Sequence, residues 1–180
     1  MTASSETPWL GPPKLGAVRV VAVDGPSGSG KSTYAVELAR KLPGRVRVVR
    51  TDDFATWDDP VAWWPRLRDG VLLPLAEGRP GRYRRTEWTE GRPHPGAWVD
   101  VEPPDVLIVE GVSAGRRAIT PVLSALVWIE VDDPAVRLER AVARDGESCR
   151  PELIAWQRFE AGWFAVDGTR ERATHRPLTG

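Results

Sequence analysis

The sequence predicts an α/β fold, a mostly five-stranded parallel sheet with helices packed on both faces. Three observations carry that prediction. Short runs rich in valine, isoleucine and leucine recur at residues 19–24, 45–51, 105–110 and 125–131, the composition of strands buried on both faces. Segments with apolar residues three and four apart lie among them, the spacing of one helix face. A glycine-rich loop joins the first strand to the first helix.

Residues 19–24 (RVVAVD) form the first strand. Residues 32–42 follow the loop as a helix, with Tyr34, Ala35, Leu38, Ala39 and Leu42 at helical spacing. Residues 45–51 (RVRVVRT) form a second strand, and Asp52, Asp53 and Phe54 follow its end. Residues 60–67 and 71–77 read as short helices. Residues 78–104 are dense in Gly, Pro, Arg and Trp, so an arm or hairpin holding Tyr83 to Trp88 is expected there. Residues 105–110 (DVLIVE) are a third strand closed by a carboxylate, and residues 125–131 (ALVWIEV) a fourth. Asp132-Asp133-Pro134 starts a helix, with a capping acid before proline at the first position. That helix runs to about residue 144, where Asp145-Gly146 breaks it. Pro151 starts another, with Leu153, Trp156, Phe159 or Glu160, and Trp163 at three- and four-residue spacing. Residues 173–180 hold a last short strand and a loop. The organisation is a flexible, Pro- and Gly-rich tail over 1–16, to which Trp9 offers an anchor, and a single domain over 17–180.

Composition narrows the function. The formal net charge over 180 residues is zero, so no bulk field draws the chain to nucleic acid or an anionic membrane, and neither partner is expected. The one cysteine, Cys149, rules out an internal disulfide and suits a reducing compartment. No signal peptide or membrane-spanning run is visible, so a cytoplasmic location is expected. The absence of asparagine argues against the Asn/Thr-Lys-x-Asp signature of guanine-reading GTPases. The oligomeric state is left open.

Gly25-Pro26-Ser27-Gly28-Ser29-Gly30-Lys31-Ser32 fits the phosphate-binding pattern G-x-x-x-x-G-K-S/T, and it sits between a strand and a helix, the context that pattern needs. The glycines let successive N–H groups turn inward around phosphate oxygens. Lys31 places a cation on the β/γ-phosphates, the Ser32 hydroxyl can ligate Mg²⁺, and the helix points its positive end at the same anion. The expected fold is thus the three-layer P-loop NTPase type with a helical lid over 140–152, and the expected cofactors are ATP and Mg²⁺.

Other residues complete the requirements of phosphoryl transfer. Glu110 closes an apolar strand where P-loop enzymes keep a second acid on the metal side; capping a neighbouring turn is the plainer alternative. Asp52 or Asp53 can orient or deprotonate an acceptor hydroxyl, although Asp is equally at home in turns. Asp52 is the stronger candidate. Arg137, Arg140 and Arg144 share a helical face, from which Arg140 and Arg144 can close on the transferring phosphoryl; pairing with Glu139 and Asp145 on a solvated face is the alternative. Arg79, Arg82, Arg84, Arg85 and Arg92 interleave with Tyr83, Trp88 and Trp98, a pattern that can grip a base or a single strand, or be an exposed arm. His94, His175 and Cys149 have no distinguishing context.

Together these segments resemble the uridine kinase family of P-loop kinases. The loop from Gly25 through Lys31, Ser32 and Thr33 is similar to that family's version almost letter for letter. Thr51-Asp52-Asp53-Phe54 resembles its D-x-F-Y segment, Val101 to Gly111 its V-x-P-x-D-hydrophobic-E-G segment, and Arg137 to Asp145 its R-x-x-R-R-D lid. The resemblance implies that Gly25, Ser27, Gly28, Ser29, Gly30, Lys31, Ser32 and Thr33 hold ATP. It further implies that Ser32 and Glu110 serve Mg²⁺, that Asp52 is the base toward a nucleoside 5′-hydroxyl, and that Lys31, Arg140 and Arg144 assist transfer. The expected reaction moves the γ-phosphoryl of ATP to a hydroxyl of a small molecule, a nucleoside such as uridine or cytidine, with 57–104 as the acceptor-side insertion. On that side the chain departs from the family: its tyrosine is Ala55 here and an aromatic falls at Thr86, while Trp57, Trp63, Trp64 and Trp88 offer a different lining. A kinase of another metabolite, a nucleotide-binding or ATPase module, and a nucleic-acid end kinase are the rival readings.

Overall fold

In the computed structural model, which describes residues 7–177, the chain opens with strand β1 (Arg19–Asp24), followed by helix α1 (Lys31–Lys41) and strand β2 (Val46–Arg50). A 3₁₀ turn (Thr51–Asp53) leads into a helical run in which α2 (Trp64–Leu67) and α3 (Leu73–Ala76) are separated by a π turn (Arg68–Leu72). Strands β3 (Gly81–Thr89) and β4 (Arg92–Val101) form an antiparallel hairpin. Strand β5 (Val106–Glu110), strand β6 (Leu123–Trp128), helix α4 (Pro134–Asp145), helix α5 (Arg150–Asp167) and the short helix α6 (Thr169–Arg172) complete the chain.

The main sheet is parallel with strand order β2-β5-β1-β6. Its central strands are buried on both faces, which is why they read as unbroken apolar runs rather than alternating ones. The period of two still decides which side each residue serves. Val20, Ala22, Leu107 and Val109 pack with Phe54, Trp63 and Leu67 on one face. Val21, Val23 and Ile108 pack with Ala35, Leu38 and Leu42 of α1 on the other.

The expectation of a mostly five-stranded sheet is corrected to four strands among the described residues. The fifth is a single bridge between Val127 and His175, because Pro177 follows two residues later and cannot donate to a ladder. Residues 178–180 of the expected last segment lie outside the described residues. The flexible-tail expectation is also corrected over 7–16: Trp9 stacks on His175 at 4.9 Å, Gly11 N–H donates to the Ser124 carbonyl and Leu15 is buried. Residues 1–6 lie outside the described residues.

The hairpin turns at Glu90 and Gly91, both at positive φ (49° and 72°), the two-residue turn whose twist matches paired strands. Tyr83 and Val101 anchor its base in the core, so its tip projects over the C-terminal edge of the sheet. Asp133 caps α4 by accepting from the Ala135 N–H at 2.8 Å, with Pro134 behind it, as the sequence predicts. Gly146, at φ 99°, breaks the chain between α4 and α5.

Candidate active site

Ligands of open parallel sheets bind beyond the C-terminal strand ends, and the main cleft lies there, with a volume of about 660 Å³. Its three regions are the loop after β1, the ends of β2 and β5, and a wall supplied by the hairpin tip and the lid.

The loop after β1 is held from several sides. Asp24, fully buried, accepts hydrogen bonds from the N–H groups of Gly25 (2.7 Å), Ser113 (3.0 Å) and Gly115 (2.8 Å), tying the loop to the segment after β5. Burial outweighs those bonds and pushes its carboxyl up to about 7. Glu160 of α5 reaches across and accepts from the Ser27 N–H at 2.9 and 3.1 Å. Gly28 lies against the Arg137 carbonyl of α4, where a Cβ has no room. Lys31 is buried, and its Nζ donates to the Pro26 carbonyl at 2.8 Å. Gly30, in the left-handed region, is the N-cap of α1. Ser29 Oγ is buried without a hydrogen-bond partner in the protein. Ser27, Lys31 and Ser32 line the cleft; Thr33 is exposed on α1 and does not.

At the strand ends, Ser32 Oγ donates to Glu110 Oε1 at 3.1 Å, and Arg50 stands 3.9 Å from the other Glu110 oxygen. Burial raises the Glu110 pKa, Lys31 opposes that, and Asp52 adds to it. This all-oxygen pair suits Mg²⁺, which prefers hard ligands and keeps several of its own waters. The two aspartates after β2 separate into different roles. Asp53 Oδ2 accepts from the Tyr83 hydroxyl at 2.6 Å, and its burial raises its pKa. Asp52 is exposed, lines the cleft and accepts no hydrogen bond among the described residues.

The lid arginines also separate. Arg144 lines the cleft, with its guanidinium gripped by Asp145 through two 2.6 Å hydrogen bonds. Arg140 does not line it. It lies on the exposed side of α4 with Val136, Glu139 and Ala143, because α4 meets the cleft only in its last turn. Arg137 folds back onto the Val131 and Asp132 carbonyls.

The far wall is aromatic. Trp57 meets Trp88 edge-on at 5.0 Å and Trp156 at 6.1 Å, and all three line the cleft with Cys149 and Leu153. The Trp57 indole N–H is committed to the Gly91 carbonyl. Trp63 and Trp64, expected as further lining, instead surround the buried Arg116 guanidinium together with Trp163, at 4.5, 5.2 and 5.2 Å. Three hairpin arginines are partnered locally: Arg82 with Asp100, Arg85 with Glu87, and Arg84 with the Gly96 carbonyl. His94 is exposed beside Thr89, away from the cleft.

Sequence reasoning missed Asp24, Glu160 and Trp156 as parts of this site. An acid ending an apolar strand just before the loop was a usable signal for Asp24. Glu160 carried a weaker one, an acid that falls at the apolar spacing of its helix between Trp156 and Trp163.

Neither a protein-family model nor a curated protein matches the chain at a significant level. Solved structures do share its fold. One is a possible uridine kinase from Bacillus stearothermophilus, at 18% identity over 88% of this chain and 87% of that one, with TM-score 0.61. Another is a candidate fructose transport system kinase from Silicibacter sp. TM1040, at 20% identity over 89% of each chain, TM-score 0.60. A third is the D-glycerate 3-kinase of Cryptococcus neoformans var. grubii, at 15% identity over 88% and 82%, TM-score 0.59. The chain therefore shares the three-layer α/β fold of these three structures. Among the described residues no helix is long and apolar enough to cross a membrane.

Proposed function

We propose that this chain is an ATP- and Mg²⁺-dependent phosphotransferase that moves the γ-phosphoryl of ATP to a hydroxyl of a small molecule, with a nucleoside as the favoured acceptor. The observation that carries the reading is the convergence of Lys31, Ser32 and Glu110 with an uncommitted carboxylate, Asp52, in one cleft.

The loop amides and the N-terminus of α1 cradle the triphosphate, and Lys31, whose ammonium has three donors, turns a free one onto phosphate oxygens while its bond to the Pro26 carbonyl keeps it in place. Ser32 and Glu110 hold Mg²⁺, which when bound neutralises phosphate charge. Asp52 orients the acceptor hydroxyl and takes its proton as the hydroxyl oxygen bonds to the γ-phosphorus and the bond to the β-phosphate oxygen breaks, releasing ADP. Arg144 supplies positive charge from the lid side. Arg140 has no part in this reading, given its place outside the cleft.

A second reading keeps the chemistry and changes the acceptor. The wall of Trp57, Trp88 and Trp156 favours any alcohol with a flat or apolar body, and the structural relatives are named for uridine, fructose and glycerate. The pairing of Arg82, Arg84 and Arg85 speaks against a nucleic-acid end kinase, which needs cations free for phosphates. An ADP-release assay over a panel of nucleosides and other alcohols tests the proposal. Turnover should depend on one acceptor class, and Asp52→Asn should lower it about a hundredfold or more with ATP affinity within about twofold. Acceptor-independent ADP release would support an ATPase module instead, and undiminished turnover by the variant would remove Asp52 from its role.

A further inference from the structure

We propose that Glu160 is a positioning residue for Lys31: its carboxylate holds the Pro26–Ser27 peptide, and the carbonyl of that same peptide holds the lysine ammonium. The proposal rests on reading the loop as a phosphate cradle.

One peptide unit carries both contacts. Its N–H, on Ser27, donates to Glu160 Oε2 at 2.9 Å and Oε1 at 3.1 Å, and its carbonyl, on Pro26, accepts from Lys31 Nζ at 2.8 Å. In a trans peptide these groups point in opposite directions, so the peptide dipole lies between an anion and a cation with both ends favourable. The arrangement is an ion pair relayed through one amide. Each bond polarises the amide and strengthens the other.

The surroundings explain why the acid is there. Glu160 is only 1% exposed, and among the described residues no arginine, lysine or histidine nitrogen forms a salt bridge with it. A buried carboxylate with so few partners carries a desolvation cost that a packing role alone leaves uncompensated. The groups that face it are Lys31 of α1, Arg137 of α4 and the Trp156 indole one turn earlier on α5. Pro26 has no N–H and a restricted φ, so rotation of the 26–27 peptide is the main local freedom left, and Glu160 removes it. The lysine that must meet the β/γ-phosphates is thereby held over the cleft by a residue 133 positions away in sequence. The neighbouring Gly28 rests on Arg137, so both helices that flank the lid break bear on the loop.

Glu160→Gln keeps an acceptor for the Ser27 N–H and removes the charge. It should lower kcat/KM for ATP about tenfold while leaving the acceptor KM within about twofold. The relay itself is read in nucleotide-free wild-type protein by NMR. The Ser27 amide proton should move downfield as the Glu160 carboxyl carbon titrates, with the same midpoint, whether or not the variant folds. In the variant that titration should vanish and the Lys31 Nζ resonance should shift. A Ser27 amide that ignores the Glu160 titration would overturn the proposal, as would shared titration with unchanged ATP kinetics in the variant. Because the NMR reading needs neither acceptor nor turnover, a failed phosphotransferase assay is told apart from a failed relay.

Discussion

Replacing Gly28 by alanine should damage the phosphate loop far more than the same change at Gly30, although both glycines sit in the left-handed region. Gly28 has φ +76° and Gly30 φ +92°. Backbone strain from adding a Cβ is therefore shared, at about 1–2 kcal/mol each. The surroundings differ. A Cβ on Gly28 would lie 2.9 Å from the Arg137 carbonyl carbon and Cα, and nearer still to the oxygen, whereas nothing stands within 4 Å at Gly30. The Arg137 backbone belongs to α4 and cannot rotate aside as a side chain would. Displacing it adds roughly 1–3 kcal/mol of overpacking. At about 2–4 °C per kcal/mol for a chain of this size, Gly30→Ala should lower Tm by about 3–6 °C and Gly28→Ala by about 10 °C. Thermal unfolding followed by circular dichroism without nucleotide gives both values. Equal losses in the two variants would refute the claim that α4 packs directly on the loop.

Four further outcomes follow from the same geometry. Arg144→Ala should reduce kcat about a hundredfold, and Arg140→Ala should stay within about threefold, since only the former lines the cleft; comparable losses would restore Arg140 to the site. Glu110→Gln should raise the Mg²⁺ concentration for half-maximal turnover about tenfold or more, checked by a metal titration at fixed ATP. Arg116→Leu should cost about 2–4 kcal/mol, because it removes the cation from three indoles, strands the Val61 carbonyl and takes a donor from the Ser113 hydroxyl; urea unfolding measures it, with a tryptophan emission shift as a local report. Asp24 makes stability depend on pH. Its folded pKa of about 7 exceeds the ordinary 3.8, so the folded state keeps a proton the unfolded chain releases. That contribution is complete below the unfolded value and is lost as pH rises through the folded one. Asp24→Asn lacks this loss, so its stability relative to wild type should rise by on the order of 3 kcal/mol between about pH 5 and pH 8. A pH-independent difference would show that the carboxyl titrates normally.

Much of the proposed donor half of the site is legible in the sequence. The loop from Gly25 to Ser32, the strand before it and the helix after it form a contiguous stretch whose chemistry is written in local spacing. Glu110 was legible for a related reason, since an acid closing four apolar residues is anomalous in a buried strand. The capping of α4 by Asp133 is equally local. The acceptor half was not. Trp57, Trp63, Trp64 and Trp88 are alike in sequence, yet two line the cleft and two hold Arg116.

The amino-acid sequence by itself determined the α/β class, the position of the phosphate loop and the candidates for catalysis, because periodicity and short motifs depend on neighbours within a turn or a strand. Tertiary structure alone decided among those candidates. Tyr83, thirty residues on, takes Asp53 and leaves Asp52 facing the cleft. The end of α4 admits Arg144 and leaves Arg140 outside. Glu160 meets the loop across 133 residues. These outcomes are set by which surfaces meet when the sheet and helices pack, and no local pattern encodes which of several similar side chains will be consumed by a distant partner.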